Sequence, residues 1–118
     1  MTMLNILVVD DDRDFAESLI EVLALEGHQT VPTFSGKDGI ACLKKNLFDL
    51  AFVDVMMPSK DGLDVLWANH SLRLKTHIVL MTAYNALQFA EQGRVLRALD
   101  VMQKPFDPGQ ITRYIEHV

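Results

Sequence analysis

Aspartate residues follow directly on an apolar segment near the start of the chain, in the sequence ILVVDDDRD at positions 6 to 14. Adjacent carboxylates repel one another, and a carboxylate buried without a partner either destabilises the fold or takes up a proton. Asp10, Asp11 and Asp12 therefore need a source of positive charge close by.

Three other apolar segments also end in a polar side chain. Asp54 ends the segment AFVD, Thr82 follows VLM, and Lys104 follows VMQ. Each residue alone is weak evidence, because an aspartate after a strand is often a helix cap and a Lys-Pro pair is often a turn. The carboxyl ends of parallel strands, however, meet at one edge of a sheet, where open α/β folds bind ligands. The four segments together predict a single site.

The residue types indicate metal-assisted phosphoryl chemistry. Clustered carboxylates without nearby histidine or cysteine favour a hard divalent cation with oxygen ligands, in the first place Mg²⁺. Such an ion supplies the missing positive charge and retains coordination positions for water or phosphate oxygens. A lysine on the opposite side suits the stabilisation of a phosphoryl group in transfer. The expected nucleophile is itself a carboxylate, which would give an aspartyl phosphate.

Alternating strand and helix patterns must position these residues. Strands are predicted at 5–9, 28–34, 50–53, 77–81 and 100–103. The helical stripes between and after them are Phe15, Leu19, Val22 and Leu23; Ile40, Leu43 and Leu47; Leu63, Leu66, Trp67 and His70; a less regular helix over 85–96; and Ile111, Tyr114, Ile115 and Val118. We expect Trp67 to pack its helix against the sheet. The alternation predicts an α/β three-layer sandwich around a parallel sheet, with the Pro32 strand at an edge.

Length and composition place the chain among ordinary globular proteins. Its 118 residues suffice for one domain with one core, and 49% are hydrophobic. The formal net charge of −5 argues against a nucleic-acid-binding face, and the single cysteine, Cys42, excludes an internal disulfide. The start MTMLN lacks a signal-peptide pattern, and no apolar run has the length of a membrane span. We expect a cytoplasmic protein that contacts neither nucleic acid nor membrane.

The segments ILVVDDD, VDVMMPSKDG, VLMTAY and QKPF, in this order and at these spacings, resemble the response-regulator receiver domain of two-component signalling. The resemblance covers the chain as one receiver domain, residues 1–118, and implies the flavodoxin-like strand order 2-1-3-4-5. It implies that Asp54 is the phosphoacceptor, that Thr82 donates its hydroxyl to the phosphoryl group, and that Lys104 pairs with a phosphoryl oxygen. The implied Mg²⁺ ligands are Asp10 (partly through water), Asp11, Asp54 and the main-chain carbonyl of Met56. The Lys104–Pro105 peptide would be cis.

The resemblance also implies partners. The phosphodonor would be a sensor histidine kinase or a phosphotransfer protein, and phosphorylation and dephosphorylation would be self-catalysed, without a separate enzymatic activity. The output would be a domain C-terminal to this segment or a separate partner. The fourth helix, fifth strand and fifth helix would form a homodimer face.

Two departures from the family pattern fall on that face. Val101 stands where the family usually has an aromatic residue, and Arg97 where it usually has glycine. Valine cannot swing a ring between exposed and buried positions. We therefore expect the signal to pass through the loop at Thr82–Tyr84 and the fourth helix. Tyr84 is either the mobile aromatic side chain or a static lid over the site.

Two other functional classes compete with this interpretation. Haloacid-dehalogenase-like phosphatases use the pattern D-x-D-x-[TV], which Asp10 and Asp12 begin but Asp14 breaks. A receiver-like module that binds partners without phosphorylation usually lacks one of the acids or the lysine, and none is missing here.

Asp12 is expected to be a helix N-cap, with Asp14 in the first turn. The pair Asp61–Gly62 is expected to form a turn, and the four histidines to be structural or exposed.

Overall fold

The computed structural model describes residues 3–57, 62–105 and 107–118. Strands and helices alternate as β1 (Asn5–Val9), α1 (Arg13–Leu25), β2 (Gln29–Thr33), α2 (Gly36–Lys45), β3 (Leu50–Asp54), α3 (Gly62–Ser71), β4 (His77–Thr82), α4 (Ala90–Val95), β5 (Asp100–Gln103) and α5 (Pro108–His117). The strands pair in parallel in the order β2-β1-β3-β4-β5. The predicted fold class and strand order are confirmed. No described helix combines the length and apolarity needed to cross a bilayer.

The sheet separates two apolar clusters. Alternate residues of a strand point to opposite faces, so Ile6 and Val8 pack beneath α1 and α5 while Leu7 and Val9 pack beneath α2 and α3. The central strands β1 and β3 are accordingly apolar on both faces. The strand that contains Pro32 lies at the edge, as predicted.

The helix starts at the site edge are held by side-chain caps. The Asp12 carboxylate accepts a hydrogen bond from the Phe15 N–H at 3.1 Å and caps α1, with Asp14 in the first turn. Asp107 caps α5 in a reciprocal arrangement with Gln110. These caps confirm the predicted helix starts.

Three sequence-based expectations are wrong. Leu47 is 92% exposed because α2 ends at Lys45, before the predicted stripe is complete. Trp67 does not pack against the sheet and is 58% exposed, since α3 turns Val65, Leu66 and Asn69 inward instead. His70 is exposed for the same reason, so its place in the predicted inward stripe is wrong, although its exposure agrees with the separate expectation for the histidines.

The predicted fourth helix is divided. A 3₁₀ turn at Ala86–Phe89 precedes a six-residue α4. The Asn85 side chain accepts a hydrogen bond from the Leu87 N–H at 3.0 Å, which favours the tight first turn. Gly93 brings α4 against β5 so closely that a Cβ there would lie 3.0 Å from Val101 Cγ2. The short helix therefore depends on a close backbone approach more than on an apolar stripe.

Candidate functional site

The strand ends bring the predicted site residues to one edge of the sheet. Asp54 and Thr82 are the last residues of β3 and β4, while Asp10 and Lys104 directly follow β1 and β5. The register pairs Val9 with Val53 and Thr82 with Gln103, so these ends lie at a common level. Asp10, Asp54 and Thr82 are buried, whereas Asp11 is exposed.

The three carboxylates form a compact oxygen cluster. One carboxylate oxygen from each of Asp10, Asp11 and Asp54 lies within 4.8 Å of the others, and no second cluster of this kind occurs among the described residues. Oxygen donors at this spacing, two buried and one facing solvent, suit a hard divalent cation that keeps part of its water shell. The residues therefore fit Mg²⁺.

Main-chain hydrogen bonds orient two of these carboxylates. Asp10 Oδ1 accepts from the Asp12 N–H at 2.9 Å, and Asp54 Oδ1 accepts a longer bond of 3.4 Å from the Met56 N–H. The Met56 side chain is 51% exposed and takes no part in the core. Its main-chain carbonyl as a metal ligand stays a prediction.

Lys104 supplies positive charge inside this acidic edge. Its ammonium Nζ lies 2.6 Å from Asp10 Oδ2 and 4.0 Å from Asp54 Oδ1, with the side chain only 16% exposed. The Lys104 N–H donates to the Thr82 carbonyl at 2.7 Å, and the Lys104–Pro105 peptide is cis, as predicted. The lysine therefore compensates part of the negative charge of the carboxylates.

The surroundings of Asp54 raise its pKa to about 7. Burial is the largest cause, followed by the Asp10 carboxylate and, to a smaller extent, Asp11. The Lys104 ammonium and the hydrogen bond from Met56 lower the pKa but do not cancel these effects. Further positive charge at the cluster would favour the ionised, nucleophilic form of Asp54.

Thr82 is linked to the residue predicted to move with it. Its hydroxyl oxygen accepts a hydrogen bond from the Tyr84 N–H at 3.0 Å. A hydroxyl accepts and donates at the same time, so this bond is compatible with donation to a phosphoryl oxygen. The Tyr84 side chain is 60% exposed in this state.

Two residues near the site were not identified from the sequence. A Cβ on Gly62 would overlap the carbonyl oxygen of Asp54, so only glycine lets the start of α3 pack there. The Phe15 ring lies against the Lys104 ammonium, 4.1 Å from Nζ to the ring centroid. The Asp61–Gly62 pair signals a tight turn but not the backbone it contacts, and Asp61 lies outside the described residues. Phe15 was assigned only to a helical stripe.

The histidines lie apart from this chemistry, as expected. His28 is buried, and its Nδ1 accepts a hydrogen bond from the Leu4 N–H at 3.0 Å, which ties the start of β2 to β1. His70, His77 and His117 are exposed. The structural interpretation of His28 is therefore confirmed.

Comparison with known families and proteins gives consistent matches. The family model of the response regulator receiver domain matches residues 6–116. The chain is 32% identical to transcriptional regulatory protein DltR of Streptococcus agalactiae over 92% of its length, and 33% identical to CpxR of Escherichia coli over 98%. It spans about half of each of these regulators, 48% and 49%. Sporulation initiation phosphotransferase F of Bacillus subtilis is 32% identical, with 91% of this chain and 86% of that protein covered.

Solved structures give the same result. A CheY-like receiver domain protein from Methanospirillum hungatei JF-1 superposes with a TM-score of 0.91 at 26% identity, covering 98% of this chain and 93% of that one. Response regulator TrrA from Thermotoga maritima, solved in complex with Mg²⁺-BeF, gives a TM-score of 0.87 at 26% identity, with 98% of both chains covered.

Proposed function

The chain belongs to the response-regulator receiver domain family, and on that premise we propose that residues 1–118 form one receiver domain with Asp54 as its phosphoacceptor. Receivers of this family act in phosphorelay signalling with histidine kinases or phosphotransfer proteins. The observation that carries the assignment is the convergence of Asp10, Asp11 and Asp54 with Lys104 at one sheet edge.

Asp10, Asp11 and Asp54 would hold Mg²⁺ together with the carbonyl of Met56. When bound, the ion neutralises charge on the phosphoryl oxygens during transfer. The acidic cluster of this chain and the Mg²⁺-BeF in the TrrA structure support that proposal.

In the transfer step, a carboxylate oxygen of Asp54 forms a bond to phosphorus while the bond from phosphorus to the donor breaks. From a phosphohistidine the P–N electron pair stays on the imidazole nitrogen, and from an acyl phosphate the P–O pair stays on the acyl oxygen. Lys104 would turn from Asp10 to a phosphoryl oxygen, and the Thr82 hydroxyl would donate to another. Asp54 must be ionised for this step, because its protonated form has no free nucleophilic charge.

The proposed phosphodonor is a sensor histidine kinase or a phosphotransfer protein, met in the cytoplasm. The proposed output is a C-terminal domain or a separate partner, which the similarity to two transcriptional regulatory proteins supports. We place a homodimer contact on α4, β5 and α5, where residues from the 3₁₀ turn, α4 and β5, among them Leu87, Arg94 and Val101, line a cavity of about 360 Å³. The formal net charge of −5 supports a domain without nucleic-acid contact.

The Asp12 carboxylate separates this proposal from the phosphatase alternative. Asp12 is exposed and caps α1 through the Phe15 N–H, so its position matches a helix cap and not the second acid of D-x-D. Incubation with Mg²⁺ and acetyl phosphate, followed by intact-mass measurement, distinguishes the classes. A receiver gains one phosphoryl group without any kinase present. Continuous phosphate release at an unchanged protein mass would indicate a phosphatase, and no reaction would indicate a module that is not phosphorylated; either result overturns the proposal.

A further inference from the structure

We propose that Phe15 is a positioning residue for Lys104, holding the ammonium at the site edge while it exchanges one carboxylate partner for a phosphoryl oxygen. The proposal rests on the function proposed above. It concerns a side chain outside the set proposed above to hold Mg²⁺ or to bind the phosphoryl group, and its proposed role is exerted through Lys104.

Two carboxylates and an aromatic ring lie near the Lys104 ammonium. Lys104 Nζ makes a short ion pair with Asp10 and a long one with Asp54, and the Phe15 ring lies 4.1 Å away. An aromatic face carries partial negative charge and attracts a cation placed over it, most strongly where water is excluded. With the lysine side chain 16% exposed, the ring takes a place that solvent would otherwise occupy.

The local sequence places the ring there. Asp12 caps α1 by accepting the Phe15 N–H, which fixes the backbone of Phe15 in the first turn of the helix. The Asp12 N–H in turn donates to Asp10 Oδ1. One short segment thus orients both the carboxylate and the ring that contact Lys104.

The contact between the Phe15 ring and the Lys104 ammonium matters because Lys104 changes partners in the proposed reaction. Lys104 pairs with Asp10, but Asp10 is also a proposed metal ligand and Asp54 is the proposed phosphoacceptor. The ammonium must therefore release one partner and take another during the reaction. The contact with Phe15 involves neither carboxylate and can persist through the exchange, which keeps the long lysine chain from swinging into solvent.

Phe15 also packs against the core beneath α1, so the alternative is that it merely fills space. Phe15→Leu separates the two roles because it keeps an apolar side chain but removes the aromatic face. Phe15→Tyr keeps the face. Phe34→Leu is the matched control, since it removes a similar contact between a ring and Arg13, 4.0 Å to the centroid, that does not involve Lys104.

The test has two readouts on folded protein, verified by thermal melting. The first is the rate of phosphoryl labelling by acetyl phosphate with Mg²⁺. The second is the NMR shift of the Lys104 ε-methylene protons without metal, which an adjacent ring displaces upfield. We expect Phe15→Leu to label about 3- to 10-fold more slowly and to lose the upfield shift, in line with the strength of such contacts. Phe15→Tyr should retain both, as should Phe34→Leu.

The proposal is overturned if Phe15→Leu keeps the wild-type rate or the wild-type Lys104 shift, or if Phe15→Tyr or Phe34→Leu is as impaired as Phe15→Leu. Labelling of Lys104→Ala and Asp54→Asn is measured alongside. Full labelling of Asp54→Asn would overturn the proposed function itself. If Asp54→Asn is not labelled but Phe15→Leu is labelled at the wild-type rate, only the proposed role of Phe15 is overturned.

Discussion

At Asp54, burial and the neighbouring Asp10 carboxylate outweigh the attraction of Lys104, and the pKa rises to about 7. The folded state therefore binds a proton at Asp54 more tightly than the unfolded chain, whose ordinary pKa is 3.8. A carboxyl group with a raised pKa stabilises the fold at acid pH and loses that contribution as the pH rises from about 4 through about 7. Without metal, Asp54 thus costs stability in neutral and alkaline solution.

This linkage predicts the effect of Asp54→Asn, which removes the ionisation. In EDTA, the free energy of unfolding of the variant relative to the wild type should increase between pH 5 and pH 8, by roughly 1–2 kcal/mol after allowance for solvent screening. Urea titrations at the two pH values measure it. The exposed Asp12→Asn serves as the control and should show a much smaller change. Equal relative stability of Asp54→Asn at both pH values would contradict the raised pKa.

For single residues, the sequence predicts which residues lie at the site better than it predicts which side chains pair with one another. Strand ends place Asp10, Asp54, Thr82 and Lys104 together in any parallel sheet of this order. Lys104 Nζ lies 2.6 Å from Asp10 Oδ2 and 4.0 Å from Asp54 Oδ1. This difference depends on how separate strands and loops are placed relative to one another. Sequence spacing does not contain that information.

Among the elements, the loop between α4 and β5 carries an identifiable strain. Arg97 adopts a φ of 63°, the left-handed region in which a Cβ is unfavourable and which glycine adopts readily. Arg97→Gly should therefore stabilise the protein by about 0.5–1 kcal/mol, because the relief of strain exceeds the entropy lost on folding glycine. Thermal or urea unfolding tests it against Arg94→Gly inside α4, which should destabilise by a similar amount. A loss of stability in Arg97→Gly would show that the arginine side chain outweighs the strain.

A second prediction concerns the residues through which phosphorylation at the site affects α4. Tyr84 is exposed and its N–H is bound to the Thr82 hydroxyl, whereas Val101 is half-buried against Gly93. Movement of Thr82 toward a phosphoryl group should thus displace the Thr82–Tyr84 loop first.

We expect Tyr84→Ala to reduce the NMR shift changes that Mg²⁺-beryllofluoride causes on α4, with Val101→Ala leaving most of them. Loss of the response in Val101→Ala, with a normal response in Tyr84→Ala, would show that this route is wrong.

Element types were largely predictable, and the failures have physical causes. The apolar runs of β1, β3 and β4 are unambiguous because both faces are covered. The sequence does not determine which face of α3 points inward, since several rotations of a short apolar helix give plausible buried faces, and α3 buries Asn69 and not Trp67. The packing of α4 on β5 depends on the close approach of Gly93 to Val101, a contact between separate elements that the sequence pattern does not show.

For the whole molecule, the alternation of strand and helix patterns along the sequence predicts a parallel α/β sandwich, but it does not determine the order of the strands in the sheet. The order 2-1-3-4-5 came from the motif resemblance, and it decides that β1 and β3 are neighbours. That adjacency brings Asp10, Asp11 and Asp54 within reach of one cation.

Metal binding should consequently appear as a change in global stability. Mg²⁺ that binds only the folded state raises the melting temperature by mass action, by about 3–8 °C at concentrations well above its dissociation constant. Asp11→Ala should weaken this response and, by removing repulsion, should melt higher than the wild type in EDTA. Asp14→Ala, an exposed acid in α1, is the control. Absence of any shift at millimolar Mg²⁺ would count against the site.

The most direct measurement of the central claim is the location of the phosphoryl group. Wild type, Asp54→Asn and Asp12→Asn are incubated with Mg²⁺ and acetyl phosphate, and labelling is followed by intact mass with peptide mapping. Asp12→Asn should take up one phosphoryl group like the wild type, with the label in the peptide containing Asp54, while Asp54→Asn should take up none. Labelling of Asp54→Asn together with loss of labelling in Asp12→Asn would contradict the assignment of Asp54 as phosphoacceptor.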